Sequence, residues 1–279
     1  MNNTRVLTIQ DISCVGQCSL TVALPIISAC GLETAILPSA VLSTHTGGFS
    51  GWTFRDLTED MPAIEKHWNK EGIRFDAIYT GYLGSVHQID YVRHIFETCG
   101  KPGCVRIVDP AMADYGKLYP GFDMTFAKAM GRLCESADYV LPNITEASLI
   151  TGMEYKETYE PAYVSGLVQK LAALGPKTVI LTGVSYEPST TGVVVYEDGK
   201  ESYYRHHRMP KGSHGTGDVY ASSFVGALMR GFSSYDAARI AADYTVRCIE
   251  NTQEDPEHWY GVKFESVLPE LIDALRSQM

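Results

Sequence analysis

The chain has 279 residues, of which 45% are apolar and 20% charged, as is usual for a globular protein with a full hydrophobic core. Its net charge of −10 and its lack of a Lys/Arg cluster argue against nucleic-acid binding. The sequence shows neither a long apolar stretch nor a signal peptide, and its seven scattered cysteines form no CxxC pair. A cytoplasmic location with reduced thiols is therefore expected.

Short β-rich runs alternate with helical stretches over the first two thirds of the chain. Strands are predicted at Val6–Gln10, Thr34–Leu42, Ala77–Thr80, Val105–Val108, Tyr139–Leu141 and Thr178–Thr182. Helices are predicted between them, at about 18–29, 60–70, 88–99, 122–136, 145–151 and 160–174. This alternation predicts an α/β fold, in which a mainly parallel sheet carries helices on both faces.

The last third begins with a different pattern. Two β-rich runs, Thr191–Tyr196 and Glu201–His206, flank an Asp-Gly turn and predict a hairpin. Helices follow at about 218–230, 234–250 and 263–277. No internal repeat or linker divides the sequence, so residues 1–279 are interpreted as a single domain.

Polar and small residues follow each predicted strand. In a parallel sheet, ligands bind beyond the carboxyl ends of the strands. The segments after the first three strands contain Asp11, Thr46 and Tyr82, and such a mixture suits a small polar ring system. Each of these segments taken alone is also what an ordinary turn would contain.

Oxygen-bearing side chains follow the fourth and fifth strands. Asp109 and Asp114 come after the fourth strand, and Asn143 and Glu146 after the fifth. These are the ligand types that a hydrated Mg²⁺ with a polyphosphate requires. The alternative for Asp109 is a turn residue, for Asn143 a helix N-cap, and for Glu146 a first-turn glutamate.

A glycine turn with a carboxylate precedes the helix predicted at 218–230. Gly215, Thr216 and Gly217 allow backbone N–H groups to surround an anion, and Asp218 can accept a proton from an attacking nucleophile. This arrangement predicts phosphoryl transfer, although Asp218 could also be a helix-start aspartate. The preceding His214 is interpreted as a hydrogen-bonding surface group rather than a base.

Other motifs are missing. The sequence has no G-x-x-x-x-G-K-[ST] loop, no G-x-G-x-x-G after an early strand and no G-x-S-x-G. These absences argue against a P-loop NTPase, a dinucleotide-binding oxidoreductase and a Ser-His-Asp hydrolase.

The motifs that are present resemble those of the ribokinase-like (PfkB-type) kinases, and most closely the pyridoxal kinase branch. The resemblance rests on Gly215-Thr216-Gly217-Asp218, Asp109-Pro110-Ala111-Met112-Ala113-Asp114, Pro142-Asn143-Ile144-Thr145-Glu146, His45-Thr46-Gly47 and Thr80-Gly81-Tyr82. It implies a three-layer α/β/α sandwich and an ATP-dependent kinase acting on the 5′-hydroxymethyl group of a vitamin B6 vitamer. Relatives of this branch are commonly homodimers.

The resemblance also implies residue roles. Asp218 would be the base, with the amides of Gly215, Thr216 and Gly217 as the anion hole. ATP would lie near Asp109, Asn143, Glu146 and Thr182, with Mg²⁺ held by Asp109, Asp114 and Glu146, and a monovalent cation such as K⁺ is a further candidate. The pyridine ring would lie among Asp11, Thr46 and Tyr82. Asp11 stands where these kinases often have serine, which suggests a preference for a cationic group such as the amine of pyridoxamine.

Two other kinase activities and one non-catalytic function are alternatives to a vitamin B6 kinase. The first is a hydroxymethylpyrimidine kinase, although only one glycine occurs in 11–16 where such kinases are usually glycine-rich. A sugar kinase is disfavoured because the early Gly-Gly-x-x-x-N segment is missing. A non-catalytic ligand-binding relative would bind nucleotide or vitamer without turnover.

Overall fold

The computed structural model describes residues 4–209, 213–255 and 257–276. The strands in these residues are β1 Arg5–Ser13, β2 Glu33–Leu42, β3 Phe54–Asp56, β4 Phe75–Thr80, β5 Gly100–Val108, β6 Ala113–Asp114, β7 Lys117–Leu118, β8 Tyr139–Val140, β9 Thr178–Val184, β10 Thr190–Glu197 and β11 Lys200–His207. The helices are α1 Leu20–Ala29, α2 Met61–Lys70, α3 Val86–Thr98, α4 Met124–Glu135, α5 Ile144–Thr151, α6 Pro161–Leu174, α7 Thr216–Met229, α8 Ser234–Gln253 and α9 Leu268–Arg276. A 3₁₀ turn at Glu265–Val267 leads into α9.

The described strands form a nine-stranded sheet in the order β11-β10-β9-β8-β5-β4-β1-β2-β3. From β9 to β2, neighbouring strands pair in parallel. The hairpin β10–β11 and the short edge strand β3 add antiparallel pairs at the two ends. The predicted mainly parallel sheet and the predicted hairpin are confirmed.

Side-chain alternation along the strands divides the core into two layers. Leu7 and Ile9 of β1 pack on the side of α3, α4 and α6, whereas Val6 packs on the side of α1, α7 and α8. Each of these side chains is fully buried, and such burial contributes about 1.5–3 kcal/mol. The sheet is therefore covered on both faces, which confirms the predicted three-layer α/β/α sandwich.

The strand order reverses between β1 and β4. The chain passes from β1 through α1 to β2 on one side, while β4 and β5 lie on the other. A crevice opens at such a switch point, beyond the carboxyl ends of the strands. The pairing of β4 with β1 ends at Ile9 and Thr80, and β1 continues alone with β2.

The prediction that Asp11 follows the first strand is wrong. β1 runs on to Ser13 because Ile12 and Ser13 pair with Val41 and Leu42 of the long strand β2. The register shifts between Gln10 and Ile12, so Asp11 occupies an irregular position inside the strand. A pairing irregularity of this kind depends on the partner strand and leaves no local pattern.

The shortest elements were not predicted from the sequence. The strand β3 has three exposed residues, and β6 and β7 have two residues each around Tyr115 and Gly116 at positive φ. The helix predicted at 263–277 is divided into the 3₁₀ turn and α9, and residue 277 lies outside the described residues. None of the helices in the described ranges has the length and apolar character needed to cross a membrane.

Candidate active site

A cleft of about 1450 Å³ opens at the carboxyl ends of β5, β8 and β9, against the start of α7. Its walls bring together all the residues predicted for the nucleotide, the metal and catalysis, namely Asp109, Asp114, Asn143, Glu146, Thr182, Gly215, Thr216, Gly217 and Asp218. These residues come from four separate segments of the sequence. Their convergence follows from the parallel sheet, which places consecutive strand ends at one edge.

The glycine turn lines this cleft with amides that precede the hydrogen-bond pattern of α7. The first bond of α7 in the i, i+4 pattern runs from the Val219 N–H to the Gly215 carbonyl at 3.0 Å, so the amides of Thr216, Gly217 and Asp218 have no helical partner. Gly215 has a φ of 81°, and a Cβ there would overlap the Gln17 carbonyl oxygen. The turn thus has the geometry of a helix start that suits an anion, and both the positive φ and the Gln17 carbonyl favour glycine at position 215.

The two glycines of the turn have different requirements. Gly217 lies within the first turn of α7 at an ordinary φ, and apart from its chain neighbours and the backbone of its own helix no heavy atom lies within 4 Å of the place where its Cβ would be. The conformation therefore does not require glycine at this position. A side chain there would instead take up space at the lining of the cleft.

Asp218 faces the cleft with an unusual proton affinity. Burial raises the pKa of its carboxyl from 3.8 to about 7, the nearby Asp11 adds to this, and a hydrogen bond from the Ser19 amide acts in the opposite direction. A base whose pKa lies near neutral pH combines availability with proton affinity. The raised pKa is what a catalytic role for Asp218 would require, and that role stays a prediction.

Two further carboxylates lie deep in the cleft. Glu146 is 3% exposed, and its Oε1 and Oε2 accept hydrogen bonds from the amides of Met112 (3.1 Å) and Asn143 (2.9 Å). Burial raises the pKa of Glu146 to about 8 despite these bonds. Burial, and then Glu146 and Asp218, also raise the pKa of Asp109, whose carboxylate accepts no hydrogen bond from the described residues.

These carboxylates fit a hydrated magnesium ion that is shared with a nucleotide. Mg²⁺ prefers hard oxygen ligands such as carboxylates, and buried carboxylates without a neighbouring cation favour the binding of one. Residues 4–209, 213–255 and 257–276 contain no group of three or more His, Cys, Asp or Glu that could hold a metal by themselves. Phosphate and water would therefore have to complete the coordination, as is usual for Mg²⁺.

The other predicted ligands of the nucleotide have structural partners. The Asn143 Oδ1 accepts from the Glu146 amide at 2.9 Å, and its Nδ2 donates to the Ala113 carbonyl at 2.8 Å. Asn143 is thus the N-cap of α5, which is the alternative that the sequence analysis gave for it. Its bond to Ala113 also connects the start of α5 to β6. Thr182 Oγ1 donates to the Pro142 carbonyl at 3.3 Å, and Asp114 is exposed at the cleft edge.

The three residues predicted to surround the acceptor do not line this cleft. Asp11 is 5% exposed and accepts a hydrogen bond from Ser13 Oγ at 3.0 Å, and burial raises its pKa. Its charge acts on both Asp218 and Tyr82, so it lies near each of them. Tyr82 is half-buried, with its ring 5.5 Å from that of Phe122, and Thr46 is exposed.

Aromatic and basic residues in the cleft were not singled out from the sequence as ligands. Several tyrosines line the cleft, among them Tyr155, Tyr159, Tyr163 and Tyr186. His206 and His207, at the end of β11, and Arg208, directly after it, also line the cleft. The four-residue spacing from Tyr155 to Tyr163 was an available signal, and so was the closeness of Arg208 to the glycine turn in the sequence.

Known proteins resemble this chain over most of its length. Residues 27–262 match the family described as phosphomethylpyrimidine kinase. A pyridoxal kinase of Granulibacter bethesdensis is 26% identical over 235 residues, which are 79% of this chain and 80% of the relative.

Solved structures agree with this match. A Bacteroides thetaiotaomicron protein assigned to the phosphomethylpyrimidine kinases, crystallised with pyridoxal, is 35% identical, with a TM-score of 0.91 and coverage of 97% of this chain and 96% of the other. The pyridoxal kinase of Lactobacillus plantarum is 30% identical, with a TM-score of 0.90 and coverage of 97% of both chains.

Proposed function

Since this chain belongs to the phosphomethylpyrimidine kinase family and is an ATP-dependent kinase, we propose that it phosphorylates the 5′-hydroxymethyl group of a vitamin B6 vitamer. The observation that carries the proposal is Asp218, a base of neutral pKa on the first turn of α7, beside free amides and next to a cleft with two buried carboxylates. The pyridoxal-bound Bacteroides structure supports a pyridine acceptor.

In the proposed reaction, the Asp218 carboxylate accepts the proton of the acceptor hydroxyl while that oxygen attacks the γ-phosphorus of ATP. The bond between the γ-phosphorus and the bridging oxygen breaks, and ADP leaves. The amides of Gly215, Thr216 and Gly217 and the positive end of α7 stabilise the charge on the transferred group.

Asp109 and Glu146 would hold Mg²⁺ with the nucleotide, and Asp114 at the cleft edge would assist them. When bound, this ion neutralises charge on the phosphates. Asn143 and Thr182 would lie near the phosphates, where their main contribution is to shape the cleft, since their side chains already have partners. A requirement for K⁺ is a separate proposal, testable by exchanging K⁺ for Na⁺ in the assay.

The acceptor ring would lie among Asp11, Thr46 and Tyr82, on the far side of Asp218 from the nucleotide. The charge of Asp11 reaches both Asp218 and Tyr82, which supports this placement. An anionic Asp11 favours a vitamer with a cationic substituent, as in pyridoxamine.

Two other functions are distinguishable by one experiment. The family description favours a hydroxymethylpyrimidine as the alternative acceptor, and a non-catalytic relative would bind without turnover. The test is ADP release in the presence of pyridoxal, pyridoxine, pyridoxamine, hydroxymethylpyrimidine and a hexose panel. The proposal expects the highest kcat/KM with a B6 vitamer; a higher value with hydroxymethylpyrimidine, or binding without ADP release, contradicts it.

Assembly and location are further proposals. We infer a homodimer because the kinases of the branch that this chain resembles are commonly homodimers. Light scattering at several protein concentrations tests this inference. A cytoplasmic location is supported by the seven cysteines, all of which are free thiols.

A further inference from the structure

The segment 257–261 packs against two loops, one of which carries the proposed acceptor residue Thr46, although it lies some 40 positions beyond the glycine turn in the sequence. It contacts the loop 14–19 after β1 and the loop 43–49 after β2. We call it the C-terminal clasp. No role for it follows from the catalytic motifs.

His45 connects the clasp to the second of these loops. Its Nδ1 accepts the Gly47 N–H at 3.0 Å, and its Nε2 lies 2.6 Å from the Tyr260 carbonyl oxygen. Because an amide N–H can only donate and a carbonyl can only accept, the ring must be neutral, with its proton on Nε2. Both nitrogens are thus occupied, and His45 holds the loop rather than acting as a base.

Trp259 covers the same loop. Its ring lies 4.8 Å from that of Phe49, and a Cβ on Gly48 would stand 2.8 Å from the indole Cζ3. The indole therefore lies directly on the Gly48 backbone, which has a φ of 80°. Half of Trp259 is exposed, so its packing here is not explained by a place in the core.

The clasp also contacts the loop after β1. His258 Nε2 donates to Gln17 Oε1 at 3.1 Å, and a Cβ on Gly261 would stand 2.6 Å from the Gly16 carbonyl oxygen. A Cβ on Gly16 would in turn overlap the His45 ring. The two loops and the clasp therefore interlock around His45.

This interlocked region adjoins the phosphoryl-transfer turn. The His45 and His214 rings are 5.1 Å apart, and a Cβ on Gly47 would stand 2.6 Å from His214 Cε1. His214 directly precedes Gly215, whose conformation is in turn limited by the Gln17 carbonyl. A shift of the loop 43–49 would thus reach the acceptor side of the turn.

We propose that the C-terminal clasp positions the acceptor, with Trp259 and the Tyr260 carbonyl holding the loop 43–49 so that Thr46 faces the acceptor ring. The proposal rests on the proposed function for the identity of the acceptor. Trp259 is a positioning residue, because it acts through Gly48 and Phe49. Its loss should weaken acceptor binding and leave the nucleotide cleft unchanged, since the clasp contributes no residue to that cleft.

The test compares Trp259→Ala with Trp52→Ala, a matched control whose indole is also partly exposed and contacts Phe54. Amide hydrogen exchange of residues 45–49 should rise in Trp259→Ala only. The KM for the best vitamer should rise about tenfold in Trp259→Ala, with kcat and the KM for ATP within about twofold of wild type. Trp259→Phe should restore most of the acceptor affinity.

Unchanged exchange of 45–49 in Trp259→Ala would overturn the clasp contact, and raised exchange with an unchanged acceptor KM would overturn its positioning role. A wild-type protein that phosphorylates none of the vitamers would overturn the proposed function. The exchange comparison needs no substrate, so it decides the contact in either case.

Discussion

At the scale of single residues, Asp218 has the environment of a base that works near neutral pH. Burial raises the pKa of its carboxyl to about 7. Below that pH the carboxyl is protonated and cannot accept the hydroxyl proton, so log kcat/KM should fall by about one per pH unit as pH decreases from 7 to 5. Initial rates measured between pH 7 and pH 5 check this dependence. A value of kcat/KM that stays constant down to pH 5 would contradict the role of Asp218 as the base.

Asp11 is the residue on which vitamer preference should depend. Its buried carboxylate near Tyr82 favours a positively charged substituent on the ring. Asp11→Ser should lower the ratio of pyridoxamine to pyridoxal turnover by about tenfold, which corresponds to about 1.4 kcal/mol. Steady-state kinetics with the two vitamers measure this ratio. The same ratio in wild type and variant would show that Asp11 does not select the substituent.

At the scale of elements, the start of α7 combines two glycines that should respond in opposite ways to substitution. Gly215→Ala should lower the free energy of unfolding by more than about 1 kcal/mol, because φ is positive and the Cβ would overlap the Gln17 carbonyl. Gly217→Ala should leave stability unchanged or raise it by up to about 1 kcal/mol, because Ala is the better helix former.

Activity should separate the same two glycines. Gly217 lines the cleft, so the added methyl of Gly217→Ala should obstruct a phosphate at the proposed anion-binding amides, and kcat/KM for ATP should fall at least about tenfold without loss of stability. Urea denaturation and initial rates at varied ATP test the pair. Wild-type kinetics in Gly217→Ala would remove position 217 from the phosphate site.

The start of α5 allows a matched comparison of a different kind. Asn143→Ala should lower the free energy of unfolding by about 1–2 kcal/mol. The variant loses two hydrogen bonds, the one that Asn143 accepts from the Glu146 amide and the one that it donates to the Ala113 carbonyl. Asn143→Ser keeps a capping oxygen, loses the donor to Ala113 and adds no charge, so its loss should be smaller. Urea denaturation measures both, and equal stability of all three proteins would contradict the capping role.

Sequence patterns predicted those elements whose signals are local. Apolar periodicity indicated the parallel strands and most helices, and the Asp-Gly turn indicated the hairpin β10–β11. The irregular position of Asp11 and the short strands β6 and β7 could not be predicted, because they depend on pairing with distant residues. The clasp is the clearest such case, since its contacts join residue 260 to residue 45.

At the scale of the whole molecule, the reversal of strand order between β1 and β4 determines where the site lies. The segments that follow β5 and β8 supply Asp109 and Glu146 to the cleft, and β9 supplies Thr182, while β1 supplies Asp11 near the switch point. α7 begins between these two groups and carries Asp218. The site residues on strand ends could therefore be predicted from the sequence, whereas the separation of acceptor and nucleotide sides required the fold.

The single domain proposed for residues 1–279 has a net charge of −10. A negative charge of this size disfavours binding to the phosphate backbone of nucleic acids. The cleft is acidic at its base and carries Arg208 at its wall. The carboxylates would repel a small anionic ligand deep in the cleft, which supports the proposal that a nucleotide binds together with Mg²⁺.

The most direct test of phosphorylation of a B6 vitamer with Asp218 as base is identification of the product by ³¹P NMR and mass spectrometry. Wild-type protein with Mg²⁺, ATP and pyridoxal should form a phosphate monoester on the 5′ carbon and ADP in equal amounts. Asp218→Asn should form it about 10²–10⁴-fold more slowly while still binding ATP. No vitamer monoester from ATP-bound wild-type protein, or equal rates for the two proteins, would contradict the proposal.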